Sequence, residues 1–377
     1  MNANSQNVEA PITDRITSVD FFRGFTMFLL IGESTRLYSH FGSFENSGIM
    51  QFLSTQFSHH EWHGLHFWDL IQPFFMFIDG VAIPFAVANR IKKGDSDKQI
   101  LLHALKRSFL LLFLGWALYC VDPGRIVWRL QDVLAQLSVT YLVAFLIMKK
   151  SFTFQLTFTL VILLLIDLAY RFFPVEGFNQ PWVAFHNLGA WTNIKIEGVE
   201  KTSIWASINA ISTTAHTVWG VLFGQLLMSD RTTRKKIQIM IIAGLTGLII
   251  GFGLDLLNIT PIIKKIATSS FVFASGGWAI LALCFCYWLI DVKKIFTKGS
   301  KFFIIVGMNC IFIYLFFEVG GAGLVSKIFI PFTKALFSWG GNLTVEIMTS
   351  LSVWAALWYI CYWLYKNRLF IKIREFM

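Results

Sequence analysis

Histidine is concentrated in one short stretch of this chain. Five of its eight histidines lie between positions 40 and 66. The core of the cluster reads His59-His60-Glu61-Trp62-His63-Gly64-Leu65-His66-Phe67-Trp68-Asp69. An imidazole that titrates near neutral pH is the usual general base for taking a proton from a nucleophile. If the chain folds back on itself, the Asp69 carboxylate could orient one of these rings and stabilise its protonated form. A metal site is the second chemistry to consider. His59 and His63 are four apart, as in helical zinc motifs, but Glu61 is misplaced for H-E-x-x-H and Gly64 disfavours a helix, so no metal is expected. The plainest alternative is a set of hydrated histidines at a membrane surface.

The other residues with chemical potential interrupt long apolar runs, where an ionisable group is costly and suggests function. The first run contains Asp20, Arg23, Glu33 and Arg36. Asp20 and Arg23 share a helical face, either as a structural ion pair or as ligand contacts. Glu33 lies about 15 Å further along at 1.5 Å per residue. Asp79 falls inside the second run, and Lys106-Arg107 open the third, where a phosphate or simple snorkelling would suit them equally. Asp132 and Gln136 share a face of the fourth. His216 with Ser212, Thr213 and Thr214 stripes the sixth, Ser269-Ser270 open the eighth, and Asn309 followed by Glu318 sits in the ninth. Each alone fits helix packing. Together they suggest a polar cavity through a bundle.

The elements that must hold these residues are transmembrane helices. Of the 377 residues, 55% are hydrophobic and only 14% charged, far below the roughly 25% charged residues of a soluble domain. Disorder and an ordinary soluble domain are both excluded. About ten stretches are long enough to span a bilayer, near 19–37, 65–89, 104–121, 130–148, 153–173, 204–228, 236–256, 267–290, 302–322 and 345–365. Their unbroken apolar character excludes a membrane barrel, which needs alternation. The fold expected is an all-α polytopic bundle.

Basic residues alternate along the loops. Segments 90–99, 149–150, 229–236, 291–301 and the tail after 365 are rich in Lys and Arg, whereas 38–64 has none and 174–203 has only Lys195 and Lys201. The positive-inside rule then places both termini in the cytoplasm and the histidine cluster outside. The net charge of +10 is accounted for by this pattern, and nucleic acid binding is not expected. Segment 324–340 reads as a short helix on the outer surface. Residues 1–17 form a polar cytoplasmic N-terminus without a signal-peptide pattern, 18–366 one membrane domain, and 367–377 a basic cytoplasmic tail. The five cysteines form no C-x-x-C pair and read as small hydrophobes.

Several segments, in order along nearly the whole chain, resemble the heparan-α-glucosaminide N-acetyltransferase family of integral membrane acyltransferases, in the form of its bacterial members. They are Arg15-Ile-Thr-Ser-Val-Asp-Phe-Phe-Arg23-Gly24; His59-x-x-Trp62-x-Gly64-Leu65-x-x-x-Asp69-Leu70 with Pro73 to Gly80; Arg107-Ser-Phe-Leu-Leu; Leu137-x-Val-Thr-Tyr141; Ser269-Ser270-Phe; Asp291-Val; and Gly307-Met308-Asn309. The resemblance implies ten or eleven helices in an inner membrane and transfer of acetyl from cytoplasmic acetyl-CoA to a glucosamine amine outside. It assigns the active-site histidine to His59, and Asp69 or Glu33 is expected to orient it or stabilise its charge. The candidate binding residues are Asp20, Arg23, Trp62, Gly64, Arg107, Ser269 and Asn309, with Arg23 and Arg107 suited to phosphate and Asn309 to an oxyanion or hydroxyl. The partners expected are acetyl-CoA as co-substrate, an extracytoplasmic amino sugar or glycan, the lipid bilayer and a second copy of the chain. The sequence departs from the family at Ser34, preceded by Glu33, where human-like members have Asn; at His63, where the family has Asn; and at Asp79, where it has an apolar residue. An amino-sugar transporter is the alternative function.

Overall fold

The computed structural model describes residues 16–198 and 203–370. The ends expected in the cytoplasm therefore lie largely outside the described residues, as do Arg15 and Lys201. Among the described residues there are fourteen α-helices and no strand. They are α1 (Thr17–Ser34), α2 (Gly48–Gln56), α3 (Ile71–Lys92), α4 (Asp97–Val121), α5 (Val133–Ile147), α6 (Phe152–Arg171), α7 (Leu188–Glu197), α8 (Asn209–Met228), α9 (Thr233–Leu256), α10 (Ser269–Cys286), α11 (Thr297–Met308), α12 (Cys310–Glu318), α13 (Gly321–Phe337) and α14 (Gly341–Lys366). A π-helical turn, Tyr287–Val292, extends α10.

Each of the ten expected stretches falls on a helix, but they are not alike. Six helical stretches are both long and apolar enough to cross a membrane unaided, and a seventh forms if α11 and α12 act as one. The others fall short for physical reasons. Helix α1 carries Asp20, Arg23 and Glu33, α5 has only 15 residues, and α8 carries the Thr and His stripe. The ninth stretch is broken, with α11 and α12 meeting at Asn309 at an angle of 61°. The third begins seven residues earlier than expected, at Asp97 behind a Ser96–Gln99 capping box. That shift moves Arg107 from a helix end to a helix interior. Segment 324–340 is helical over most of its length, as α13.

Burial sorts the helices into a centre and a rim. In the most apolar window of the stretch containing α3, 72% is buried inside the protein, against 17% for α6. Leu164 and Leu165 of α6 and Ile242 and Ile249 of α9 remain exposed. Apolar side chains on the outside of long apolar helices suit lipid, so α6 and α9 form the rim while α3 and α8 form the core. Helices α3 and α8 approach closely because glycines face backbone: a Cβ on Gly80 would collide with the Thr217 carbonyl, and one on Gly220 with that of Phe77. The α8 stripe lies buried in this packing. Thr213 and Thr214 donate to carbonyls one turn back, and His216 Nε2 lies 2.9 Å from Ser275 Oγ on α10. The stripe thus bonds within α8 and, through His216, to α10, away from the cavity described below.

One long-range contact anchors α1. Asp291 accepts the first backbone N–H groups of that helix, from Thr17 at 3.0 Å and Ser18 at 3.1 Å. A carboxylate at a helix N-terminus satisfies orphan donors and complements the dipole. Asp291→Ala is expected to cost about 1–2 kcal/mol. A lowered melting temperature in detergent would show it, and an unchanged one would refute the cap's contribution.

Candidate functional site

The loop between α2 and α3 folds around one carboxylate. Asp69 sits in a 3-10 turn, Phe67–Leu70, and is 0% exposed. Its Oδ2 accepts backbone N–H groups from His60 at 3.2 Å and His66 at 3.0 Å. Its Oδ1 lies 3.0 Å from His59 Nδ1. The chain does fold back, and of the five clustered histidines the one paired with Asp69 is His59. Gly64 makes the reversal. Its φ of +147° lies outside the region favoured by other residues, a Cβ would strike the His60 ring, and its N–H donates to Ile262 at 2.9 Å.

The remaining histidines have other partners. His63 Nε2 lies 2.7 Å from Asp255, His66 Nδ1 3.0 Å from the Ser58 carbonyl, and His40 3.7 Å from Glu346. The His60 ring lies tilted against that of His66, 4.7 Å between centroids, and desolvation holds its basicity below the usual histidine range.

A third charged group completes the His59 environment. Lys264 lies in a short turn between α9 and α10, with its Nζ 3.2 Å from His59 Nδ1 and 3.6 Å from Asp69 Oδ1. It is 5.3 Å above the Trp205 ring, which His59 meets edge-on at 5.6 Å. Burial draws the Lys264 ammonium down to about 8. Glu33 stands nearby at the end of α1, where its Oε1 accepts the Trp68 Nε1–H at 2.7 Å. It is thus fixed by Trp68, the immediate neighbour of Asp69.

His59, Glu33, Trp68, Trp205, Lys264 and Glu318 line one end of a cavity of about 670 Å³. Arg23, Arg90, His103, Lys106 and Arg107 line the other end. Between them the wall is mainly apolar, with Phe75, Ile78, Leu111, Leu137 and Ile311, relieved by Gln72. The cavity touches α3 from Ile71 to Arg90, a rise of about 28 Å. Gln72 is held by Gln136 at 2.7 Å, and Asp132 caps α5 while accepting the Tyr314 hydroxyl at 2.9 Å. Arg107 pairs with Asp79 across α4 and α3, and its guanidinium lies 4.4 Å over the Tyr141 ring. Asp79 is therefore the partner that makes a half-buried arginine tolerable between these helices.

Not every expected site residue reaches this cavity. Asp20 pairs with Arg23 at 3.9 Å and stays behind it. Trp62 donates to the Trp182 carbonyl at 2.7 Å and packs against the buried cluster that includes Tyr170 and Leu188, fixing the outer loops. Gly64 shapes the loop, Ser269 bonds the Leu163 carbonyl at 3.2 Å, and Asn309 is buried at the α11–α12 break. None of these five lines the cavity, whereas His59, Glu33, Arg23 and Arg107 do. Asp69 stands behind His59. Lys264 and Trp205 went unread from sequence. The available signal was Lys264-Lys265 itself, two lysines in a loop that the charge alternation assigns to the basic-poor side.

Apolar helices wrapped around a long polar-ended cavity define a helical integral membrane protein. Over 96% of its length the chain is 26% identical to the heparan-alpha-glucosaminide N-acetyltransferase of Mus musculus, and over 95% to the Homo sapiens protein of the same name, also at 26%. It spans 61% and 60% of those two relatives. No family model matches it. The likeness supports that family at a distance.

Proposed function

We propose that the protein is a membrane-embedded acetyltransferase that moves an acetyl group from acetyl-CoA, entering at the Arg107 end, to an amino sugar at the His59 end. The observation that carries this reading is one continuous cavity joining a basic end to a His59–Asp69 pair. The N-acetyltransferase relatives support it independently. The turn between α3 and α4 and the helix ends flanking it carry Arg90, Lys92, Lys93 and Lys98, so the positive-inside rule puts the Arg107 end in the cytoplasm. Guanidinium groups of Arg23, Arg90 and Arg107 suit phosphate oxygens. The apolar middle suits the pantetheine arm, and the thioester then lies within reach of His59.

Asp69 holds the Nδ1 side of His59, which leaves Nε2 to face the acceptor. The amine nitrogen attacks the thioester carbonyl, a C–N bond forms and the C–S bond breaks. His59 takes the proton lost by the amine and returns it to the departing thiolate, giving the amide and free CoA. The test uses sealed vesicles with labelled acetyl-CoA on one side and glucosamine-type acceptors on the other. Labelled amide on the acceptor side is expected. Accumulation of unmodified amino sugar without acetyl-CoA would replace this reading with a transporter.

A further inference from the structure

The simple His–Asp pair leaves Lys264 unexplained. A buried lysine is expensive, and one placed beside a base is counterintuitive, because its charge opposes proton uptake. Its geometry shows what it meets. The ammonium is 7% exposed on its side chain and touches both members of the pair, at 3.2 Å from His59 Nδ1 and 3.6 Å from Asp69 Oδ1. Asp69 Oδ1 thus faces both the His59 ring nitrogen and the Lys264 ammonium, while Oδ2 is occupied by two backbone N–H groups. The loop fixes the carboxylate, the turn before α10 fixes the ammonium, and the Trp205 ring covers the remaining side. Two further charges act here. Glu33 of α1 acts electrostatically on both His59 and Lys264, and Lys265, bonded to the Glu61 carbonyl, opposes Lys264. On its own loop, His59 is followed by His60, Glu61, His63 and His66.

We propose that Lys264 is a positioning residue that balances the Asp69 charge, so that the carboxylate orients the His59 imidazole without drawing a resting proton onto it. A lone buried carboxylate against an imidazole favours the imidazolium, which cannot accept the amine proton. With Lys264 charged, carboxylate and ammonium together are neutral. His59 then rests uncharged with Nδ1–H toward Asp69 and Nε2 free. When His59 takes the proton, the site carries one excess positive charge, which drives that proton on to the leaving thiolate. Lys264 itself forms and breaks no bond. The inference rests on His59 acting as the base in the proposed reaction.

The test is the pH dependence of kcat/KM for acetyl transfer in the full-length protein. Lys264→Met keeps the apolar stem and removes the charge, so the acid limb is expected to move up by at least about one pH unit. Lys264→Arg retains the charge and is expected to leave the limb in place. A purely structural lysine predicts something different: lower turnover in Lys264→Met at every pH with the limb unmoved. That result overturns the proposal. A second readout needs no turnover. Diethyl pyrocarbonate reacts with neutral imidazole, and the adduct on the His59 peptide, followed by mass spectrometry against pH, should shift by the same amount. If His59→Ala still turns over, the base assignment fails, while the His59 adduct profile still tests whether Lys264 sets its charge. If Lys264→Met is not recovered folded, Lys264→Gln, which keeps a polar head beside Asp69 and removes the charge, decides the question: the adduct profile should move up by about one unit, and an unmoved profile overturns the proposal.

Discussion

Turnover of the His59→Ala variant is expected to fall by about 10²–10⁴-fold, the span assigned to a positioned general base. The fold should survive. The His59 side chain is 40% exposed, and its loss leaves Asp69 with two backbone donors and Lys264. The variant should therefore purify with a wild-type melting temperature and bind acetyl-CoA. A variant with normal turnover would remove His59 from the chemistry. Two-substrate kinetics add a second distinction. Intersecting initial-rate lines fit direct attack by the amine, whereas parallel lines would indicate an acetyl-histidine intermediate.

The second large effect is expected at the opposite end of the cavity. Arg107→Met leaves Asp79, buried at 7% exposure, without its cation, and breaking such a pair costs about 3–5 kcal/mol. The single variant should be poorly stable. Arg107→Met combined with Asp79→Asn should recover much of that loss, because two neutral groups need no mutual compensation. Yet a third of the Arg107 side chain remains accessible, and Arg107 lines the cavity. If that surface meets a phosphate, the double variant should be stable but show a KM for acetyl-CoA raised by about 10²-fold, consistent with a lost charged hydrogen bond. A stable double variant with unchanged KM would reduce Arg107 to a structural role.

These two ends of the cavity differ in how far they could be read from the chain alone. His59 and Asp69 are ten residues apart, and the loop joining them carries its own turn residue at Gly64. Their pairing is nearly local, so the spacing supported it. Arg107 and Asp79 are 28 residues apart on different helices, and each looked like an isolated anomaly. The early start of α4 was also missed. A polar segment with Asp97, Lys98 and Gln99 breaks the apolar run, although the capping box at Ser96 signals helix. For Trp62, Ser269 and Asn309, motif membership pointed toward a ligand, while the structure gives two of them bonds to distant backbone carbonyls and the third a place at a helix break. A motif records that a residue type is required at a position, and tertiary contacts can require it as strongly as chemistry does.

The sequence by itself determined the helices and their solvent. A run of apolar residues long enough to span a bilayer must satisfy its backbone internally, and that constraint is local. It also determined that the few charges inside those runs must find partners or a cavity. Only the tertiary structure decided which partners. Lys264 reaches His59 across 205 positions, and Asp291 caps α1 across 274. In a bundle of mostly apolar helices, hydrophobic pattern scarcely distinguishes one neighbour from another. The arrangement is settled by close glycine contacts and by the cost of leaving a buried charge unpaired, both of which depend on the whole bundle at once.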